Sequence, residues 1–309
     1  MKIPNLLINE LDTLLIQKGK ITQTHASIKS LLNEKFIRLK FNKRKTNHSP
    51  INIIMMGQNH DMELSLEFAK NISEQINFFL IASPHMGPLK LSFLGKENVN
   101  VEITQMIIGR LKSPSHIERK VSLAKNALMK LTTAILMDGM LTMNDSAVLL
   151  GEEANFQSEL LVIGQHNDDI SITQKVDHKA KKSYSTLNNS LVANDQSHLK
   201  FDIYGTIDKY CAQSQCFQHS KGILLGEKAW IEVDPKLIIN EFDVEAGHGA
   251  AVGQINQDEL YYLSSRGLDE LLAKRLIIQG YTDPFVTAFP LIQHQKYINQ
   301  AIARKMGGR

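Results

Sequence analysis

One short pattern returns repeatedly between Ser113 and Gly253: a small or polar residue at a turn, then apolar residues at alternate positions over the length of a strand. Alternation of period two puts every second side chain on one face, the mark of a half-buried strand. Aligning the turns places Ala127, Ala154, Ala180, Lys209, Ala229 and Gly249 in equivalent positions. Their spacing of roughly twenty to thirty residues is the range in which a unit cannot bury its own apolar face and must stack on its neighbours. The likeness is plainest between GEEANFQSELLVIG and GEKAWIEVDPKLII. The pattern predicts a mainly β chain folded as a parallel β-helix. A β-sandwich and a mixed α+β domain stay open at this level. A sandwich needs regular hairpin turns, and Asp138-Gly139 is the one dipeptide of the Asn-Gly or Asp-Gly kind.

The flanks read differently. Over residues 1–46, Leu7, Leu11, Leu14 and Leu15 fall on one helical face and Ile28, Leu31, Leu32, Phe36 and Leu39 on another. This predicts two short helices parted at Lys18-Gly19-Lys20. From Asn47 the period shortens, with Ile51 and Ile53, then Met62, Leu64, Leu66 and Phe68, alternating. After Gly253 the character turns helical. Asn256 caps a run carrying Leu260, Tyr261 and Leu263, Glu259 sits where a capping box needs it, and Gly267 supplies the left-handed stop. Asp269 caps DELLAKRLIIQG, which Gly280 closes, Asp283-Pro284 opens another turn, and Ile292 to Met306 forms a basic helix with Tyr297, Ile298, Ala301 and Ile302 on one side. The expected organisation is a helical segment over 1–46, a β-helix over 47–253 and a helical domain over 254–309.

Composition narrows the function classes. The 35 basic and 32 acidic residues are interspersed and leave a net charge of +3, too mild for a nucleic-acid partner. Lys40-Phe-Asn-Lys-Arg-Lys45 is a short basic run of the kind common in solvated linkers. The first segment carries Glu10 and Asp12 within its apolar pattern, which argues against a signal peptide, and no run is long and apolar enough to span a membrane. Two cysteines, Cys211 and Cys216, make neither a disulfide framework nor a thiolate set for a structural metal. A cytoplasmic location is expected.

His248 is the residue most worth weighing. Glycines on both sides, Gly247 and Gly249, permit unusual backbone dihedrals and close approach, and imidazole serves as metal ligand or proton carrier near neutral pH. Its parity matches Phe242 and Val244, which favours a packed histidine instead. His219 and Ser220 precede it by about one repeat, so stacking can bring them together. Cys211 and Cys216, five apart, would point to opposite faces of one strand and read as small buried hydrophobes. His166, Asp168, Asp169, Asp177 and His178 read as a coil edge with its turns. No phosphate-binding loop, G-x-S-x-G or H-E-x-x-H is present, so the chain is not expected itself to hydrolyse nucleotide or peptide.

The run GHGAAVGQINQDELYYLSSRGLDELLAKRLIIQGY, Gly247 to Tyr281, resembles the C-terminal signature of the SufB/SufD family of iron–sulfur cluster assembly proteins. GILLGEKAWIEVDPKLIINEFDVEAGHG is similar to that family's last β-helix coils, and VDHKAKKSYSTLNNSLVANDQSHLKFDIYG to an earlier one. The His-Gly-Ala-x-Val-Gly form at His248 to Gly253 is SufD-like. Where this chain has Gly249 and Ser220, SufB proteins carry a glutamate and a functional cysteine, so the SufB-type pair is missing.

The resemblance implies a right-handed parallel β-helix with flanking helices, an N-terminal region shorter than is usual in the family, and pairing with a SufB-like subunit or with itself. It implies that His248 is the functional histidine at that interface, with His219 and Cys216 as further candidates. Iron or a transient iron–sulfur cluster, shared with the partner, would be the cargo, and this chain alone would hold neither stably. A SufC-like ABC ATPase would dock on the C-terminal helices through Tyr261, Arg266, Gly267, Leu272, Arg275, Leu276, Tyr281 and Pro284. The expected function is that of a SufD-like subunit of a SufBCD-type complex. A structural subunit whose His248 only packs is the alternative. A β-helix carbohydrate-active enzyme would call for an export signal and a groove of acidic residues and arginines.

Overall fold

A computed structural model describes residues 13–17, 20–23, 28–32, 36–42 and 50–306. The strands, in chain order, are β1 (Thr13–Gln17), β2 (Lys20–Gln23), β3 (Ile28–Leu32), β4 (Phe36–Phe41), β5 (Ile51–Met56), β6 (Met62–Phe68), β7 (Ser73–Ala82), β8 (Leu89–Gly95), β9 (Asn100–Arg110), β10 (Ser115–Leu123), β11 (Leu128–Asp138), β12 (Met140–Leu149), β13 (Asn155–Gly164), β14 (Asp169–His178), β15 (Tyr184–Ala193), β16 (His198–Ile207), β17 (Ser214–Leu224), β18 (Trp230–Ile239) and β19 (Val244–Gln254). Three helices follow: α1 (Gln257–Ser265), α2 (Glu270–Thr287) and α3 (Ile292–Lys305).

From β5 onward odd-numbered strands build one sheet and even-numbered strands the other, each pairing in parallel with the strand two places on. Each coil therefore contributes one strand to each sheet, and the whole is a β-solenoid of about seven turns. Coil length is set by the turns. Asn71, Asn98, Asn126, Glu153, Lys182 and Gln213 each take a positive φ just before an odd strand, and the first three stack as a side-chain ladder of 2.9 Å hydrogen bonds. Asparagine tolerates the left-handed region, and a stacked amide can donate to one neighbour and accept from the next.

Inward-facing residues of both sheets, among them Phe78, Ile103, Leu131, Phe156 and Phe201, fill a continuous interior. Arg119 is fully buried in it. Its Nε and Nη2 bind the two Asp145 oxygens at 2.9 and 2.5 Å, and its Nη1 reaches Gln105 and Thr133 at 2.6 and 2.9 Å. A second apolar layer lies outside the odd-strand sheet. There Ile54, Phe79, Met106, Ala134 and Leu161 meet Phe285, Phe289, Ile298 and Ile302 of the helical region.

Three expectations needed correction. The second N-terminal helix, over Ile28 to Leu39, is the antiparallel pair β3 and β4. Of the first, Leu14 and Leu15 lie in β1, and Leu7 and Leu11 lie outside the described residues. These strands belong to the solenoid sheets, since β1 pairs with β5 and β4 with β6, both in parallel. The buried faces are Leu14 and Ile16 in β1 and Ile37, Leu39 and Phe41 in β4, which overlap the helical stripes only at Leu14 and Leu39, and the waiting sheet edge decides between the two readings. Of the six aligned turn residues, Ala127 and Ala154 are equivalent, but Ala229 precedes an even strand and Gly249 lies inside β19. Finally, α2 runs through Gly280 and Pro284 to Thr287, because burial of Phe285 and Val286 holds the helix across the missing N–H of proline. The N-terminal cap is as expected, with Asn256 Oδ1 accepting from Asp258 N at 2.9 Å, and Gly267 sits at φ +93.

Candidate functional site at the open end of the solenoid

β18 and β19 end their sheets. Among the described residues β18 pairs with β16 and β19 with β17, and nothing pairs with their other edges. An edge strand presents a row of free backbone donors and acceptors. The interior is open here too: Ala246, His248 and Ala250 have the parity of buried Cys216, Gln218 and Ser220 in the preceding coil, yet all three are exposed. Phe242, in the connection between the two edge strands, is fully exposed, and Trp230 and Ile238 of β18 and Val252 of β19 are exposed as well.

His248 sits in the middle of β19, in register with Gln218, on the inner face of a coil that no further coil covers. Gly247 and Gly249 have regular strand backbone, without the positive φ that would mark unusual dihedrals. They bare the outer face instead, and a Cβ on Gly249 would meet nothing within 4 Å. His219 pairs with Gly249 and is exposed on that outer face, so the fold puts the two imidazoles on opposite sides of one sheet.

Cys216 shares the inner face with His248, one coil down and two residues back, but is fully buried under Ala246. Its sulfur occupies room left by Gly205, where a Cβ would come within 2.5 Å of Sγ. Burial pushes its thiol pKa up, opposed by a hydrogen bond from Ser185. Cys211 lies in the turn before β17 rather than on the strand, is also buried, and likewise has a raised thiol pKa through burial. Ser220 is buried beneath Ala250 and accepts from Asn189 Nδ2 at 3.2 Å. Among the described residues no three His, Cys, Asp or Glu side chains gather to hold a metal.

The polar cluster around β14 separates into three. His166 is exposed and contacts Asp195 at 3.1 Å. Asp168 is buried under Lys305 of α3, 137 residues away in sequence, at 2.5 Å. His178 is buried between Ser183 and Ser185 at 2.7 and 2.8 Å, and burial lowers its pKa to about 4. No local signal announces the Lys305 contact.

On the helical region, Tyr261, Leu272 and Leu276 are exposed, Arg266 stacks over Tyr262 at 5.3 Å, and Pro284 reaches solvent within α2. Arg275 lines a groove of about 370 Å³ between α2 and α3 with Ile278, Gln279, Asn299, Ile302 and Met306. Tyr281 is partly buried against the solenoid.

The stretch of chain that builds most of these coils and the start of the helical region matches a known family profile. Residues 93–281 match the one described as SUF system FeS cluster assembly, SufBD core domain. The chain belongs to the SufBD family. It is SufD-like: it is 27% identical over 210 residues to the iron–sulfur cluster assembly protein SufD of Bacillus subtilis, a stretch that is 67% of this chain and 48% of that protein. With SufD of Escherichia coli it shares 22% identity over 187 residues, 60% of this chain and 43% of the relative. A SufBD family protein of Pyrococcus horikoshii is 37% identical over 84 residues, 26% of this chain and 19% of its own length. The chain thus spans about half the length of the two SufD proteins it matches. No helix among the described residues is long and apolar enough to cross a membrane.

Proposed function

We propose that this SufBD protein acts as the SufD-like subunit of a cytoplasmic SufBCD-type complex, assisting iron–sulfur cluster assembly without being an enzyme by itself. The observation that carries the reading is the exposure of His248 on the inner face of a terminal coil flanked by two unpaired edges. A SufB-like subunit, or a second copy, would add its own strands there and bury the imidazole together with its own ligands. Strand addition supplies affinity through main-chain hydrogen bonds, and exposed Phe242 and Val252 supply apolar area. His248 would contribute one imidazole ligand to iron or a nascent cluster, the cargo, with the remaining donors from the partner. His219 would lie outside that enclosure. Cys216 would be a structural thiol one coil below it.

A SufC-like ABC ATPase would dock on the helical region, where Tyr261, Leu272 and Leu276 present apolar surface beside Arg266 and Arg275. The test is co-expression with a SufB-like chain and SufC, followed by affinity capture and iron analysis. His248→Ala should leave the complex assembled and lower its retained iron. Failure to capture either partner would sink the complex, and unchanged iron would sink the ligand role. The second reading, a structural subunit without iron ligation, draws support from buried Ser220 and from Gly249, which offer no metal-binding side chain beside His248.

A further inference from the structure

The helical region is fastened to the odd-strand sheet through an apolar layer interrupted by two polar groups. Lys305, near the end of α3, is 4% exposed, and its ammonium donates to Met137 O and Asp168 Oδ2 at 2.5 Å and contacts Asp138 Oδ1 at 2.8 Å. Asp168 in turn accepts from Gly139 N and Gln165 N at 2.7 and 2.9 Å, so this cation is tied to the turns of two successive coils.

His294, in the first turn of α3, is the opposite case. It is fully buried, with its ring edge-on to Phe79 of β7 at 4.8 Å and to Phe289 at 6.4 Å, and neither ring nitrogen has a hydrogen-bond partner. The titratable groups that share this layer are Tyr297 and Lys305 of α3 and Tyr281 of α2, with Asp138 at the end of β11 and Asp168 before β14. Lys296 and Arg304 of α3, Glu270, Lys274, Arg275 and Asp283 of α2, Glu102 and Arg110 of β9, Lys130 of β11 and Glu159 of β13 are at least partly exposed. Glu74 of β7 has the inward parity of Ile76 and Phe78. Asp138 and Asp168 are engaged by Lys305, and burial raises the phenol pKa of both tyrosines. A proton taken up by His294 would therefore place an unpaired charge and a second orphan N–H against phenyl rings.

We propose that His294 makes the docking of α3 an acid-sensitive clasp. Protonation of its ring releases this helix from the sheet while the solenoid stays folded, with Lys305 as the second fastening. The solenoid is held by its own interior and by continuous backbone ladders, whereas α3 packs through the layer that contains His294. The helix α2 shares that layer but is also seated through Ala273 and Ile277 on Ile223 and Ile255. Release would uncover the stripe of Ile54, Phe79, Met106 and Leu161. Burial lowers the pKa of His294 to about 4. With a released histidine titrating near its ordinary value, a fall from pH 8 to pH 5 shifts docking about 30-fold toward release.

Hydrogen exchange of the full chain at pH 8 and pH 5, corrected for intrinsic exchange rates, tests this. In the His178→Gln background, which takes the solenoid's own buried histidine out of the comparison, peptides from α3 should lose protection about 30-fold at pH 5 while those from β7, β9, β12, β14 and β16 keep theirs. His294→Phe and, should that ring not fit, His294→Leu should abolish the acid step. Lys305→Met should weaken docking at both pH values and leave the step in place. Equal protection at both pH values, loss spread evenly over the solenoid, or an acid step that persists without His294 would overturn the clasp.

Discussion

The coils around Arg119 and the coil around His248 have the same construction and opposite fates. At Arg119 the next coil is present: a full charge sits at zero exposure because Asp145, Gln105 and Thr133 come from its own and adjoining coils to meet it. At His248, among the described residues, no coil covers the last one, so a residue with inward parity faces solvent, and the strand edges beside it lack partners. In a stacked fold the burial of a side chain belongs to its neighbour in the stack as much as to itself. A polar residue in a middle coil must be matched within the chain, whereas in the last coil it is free to be matched by another molecule.

The largest effect should come from breaking the matched pair. Arg119→Ala leaves Asp145 buried and uncompensated, and urea unfolding should show a loss of about 3–5 kcal/mol. The double variant Arg119→Met with Asp145→Leu should recover most of that loss, and no recovery would mean that packing rather than charge dominates the site.

Next in size is acid destabilisation through His178, held neutral inside the middle coils. Its pKa in the folded chain is lowered to about 4 by burial, so the unfolded chain binds more protons between that value and 6.5. The contribution to stability is complete above pH 6.5 and is lost as pH falls through 4, amounting to about 3 kcal/mol. Denaturant midpoints of wild type and His178→Gln between pH 7 and 4 should converge, and parallel curves would contradict the assignment.

A smaller loss, about 1 kcal/mol, is expected for Asn98→Ala, which removes the central rung of the Asn71–Asn98–Asn126 ladder and places alanine at φ 57. Thermal unfolding reads it. The smallest effect belongs to the open end: His248→Ala should change the stability of the isolated chain by no more than about 0.5 kcal/mol, because its ring is exposed there. A loss of several kcal/mol would show that His248 packs, and would remove the contrast with Arg119.

Much of this architecture is legible in the residues. The alternation from Ile51 onward, the turns at Ala127 and Ala154, the Asn256 and Asp269 caps and the apolar side of α3 all carry local signals, and strands or helices form there. The N-terminal segment misleads because Leu14 and Leu39 belong both to a helical stripe and to an alternating set, Leu14 with Ile16 and Leu39 with Ile37 and Phe41. At the candidate site, His248 is legible as a glycine-flanked histidine, but its parity with Phe242 and Val244 suggests packing, and both of those neighbours are themselves at least partly exposed. The pairing of Lys305 with Asp168 spans 137 residues and the seat of His294 spans more than two hundred, and no periodicity reaches that far.

The sequence by itself determined the coil, because alternation, turn residues and caps act over a few residues and are written where they act. Only the tertiary structure decided which coil is last, which histidine is covered and which carboxylates receive Lys305. Those outcomes depend on what stacks above or folds back across each residue, and that is set by the whole stack rather than by any stretch of chain within it.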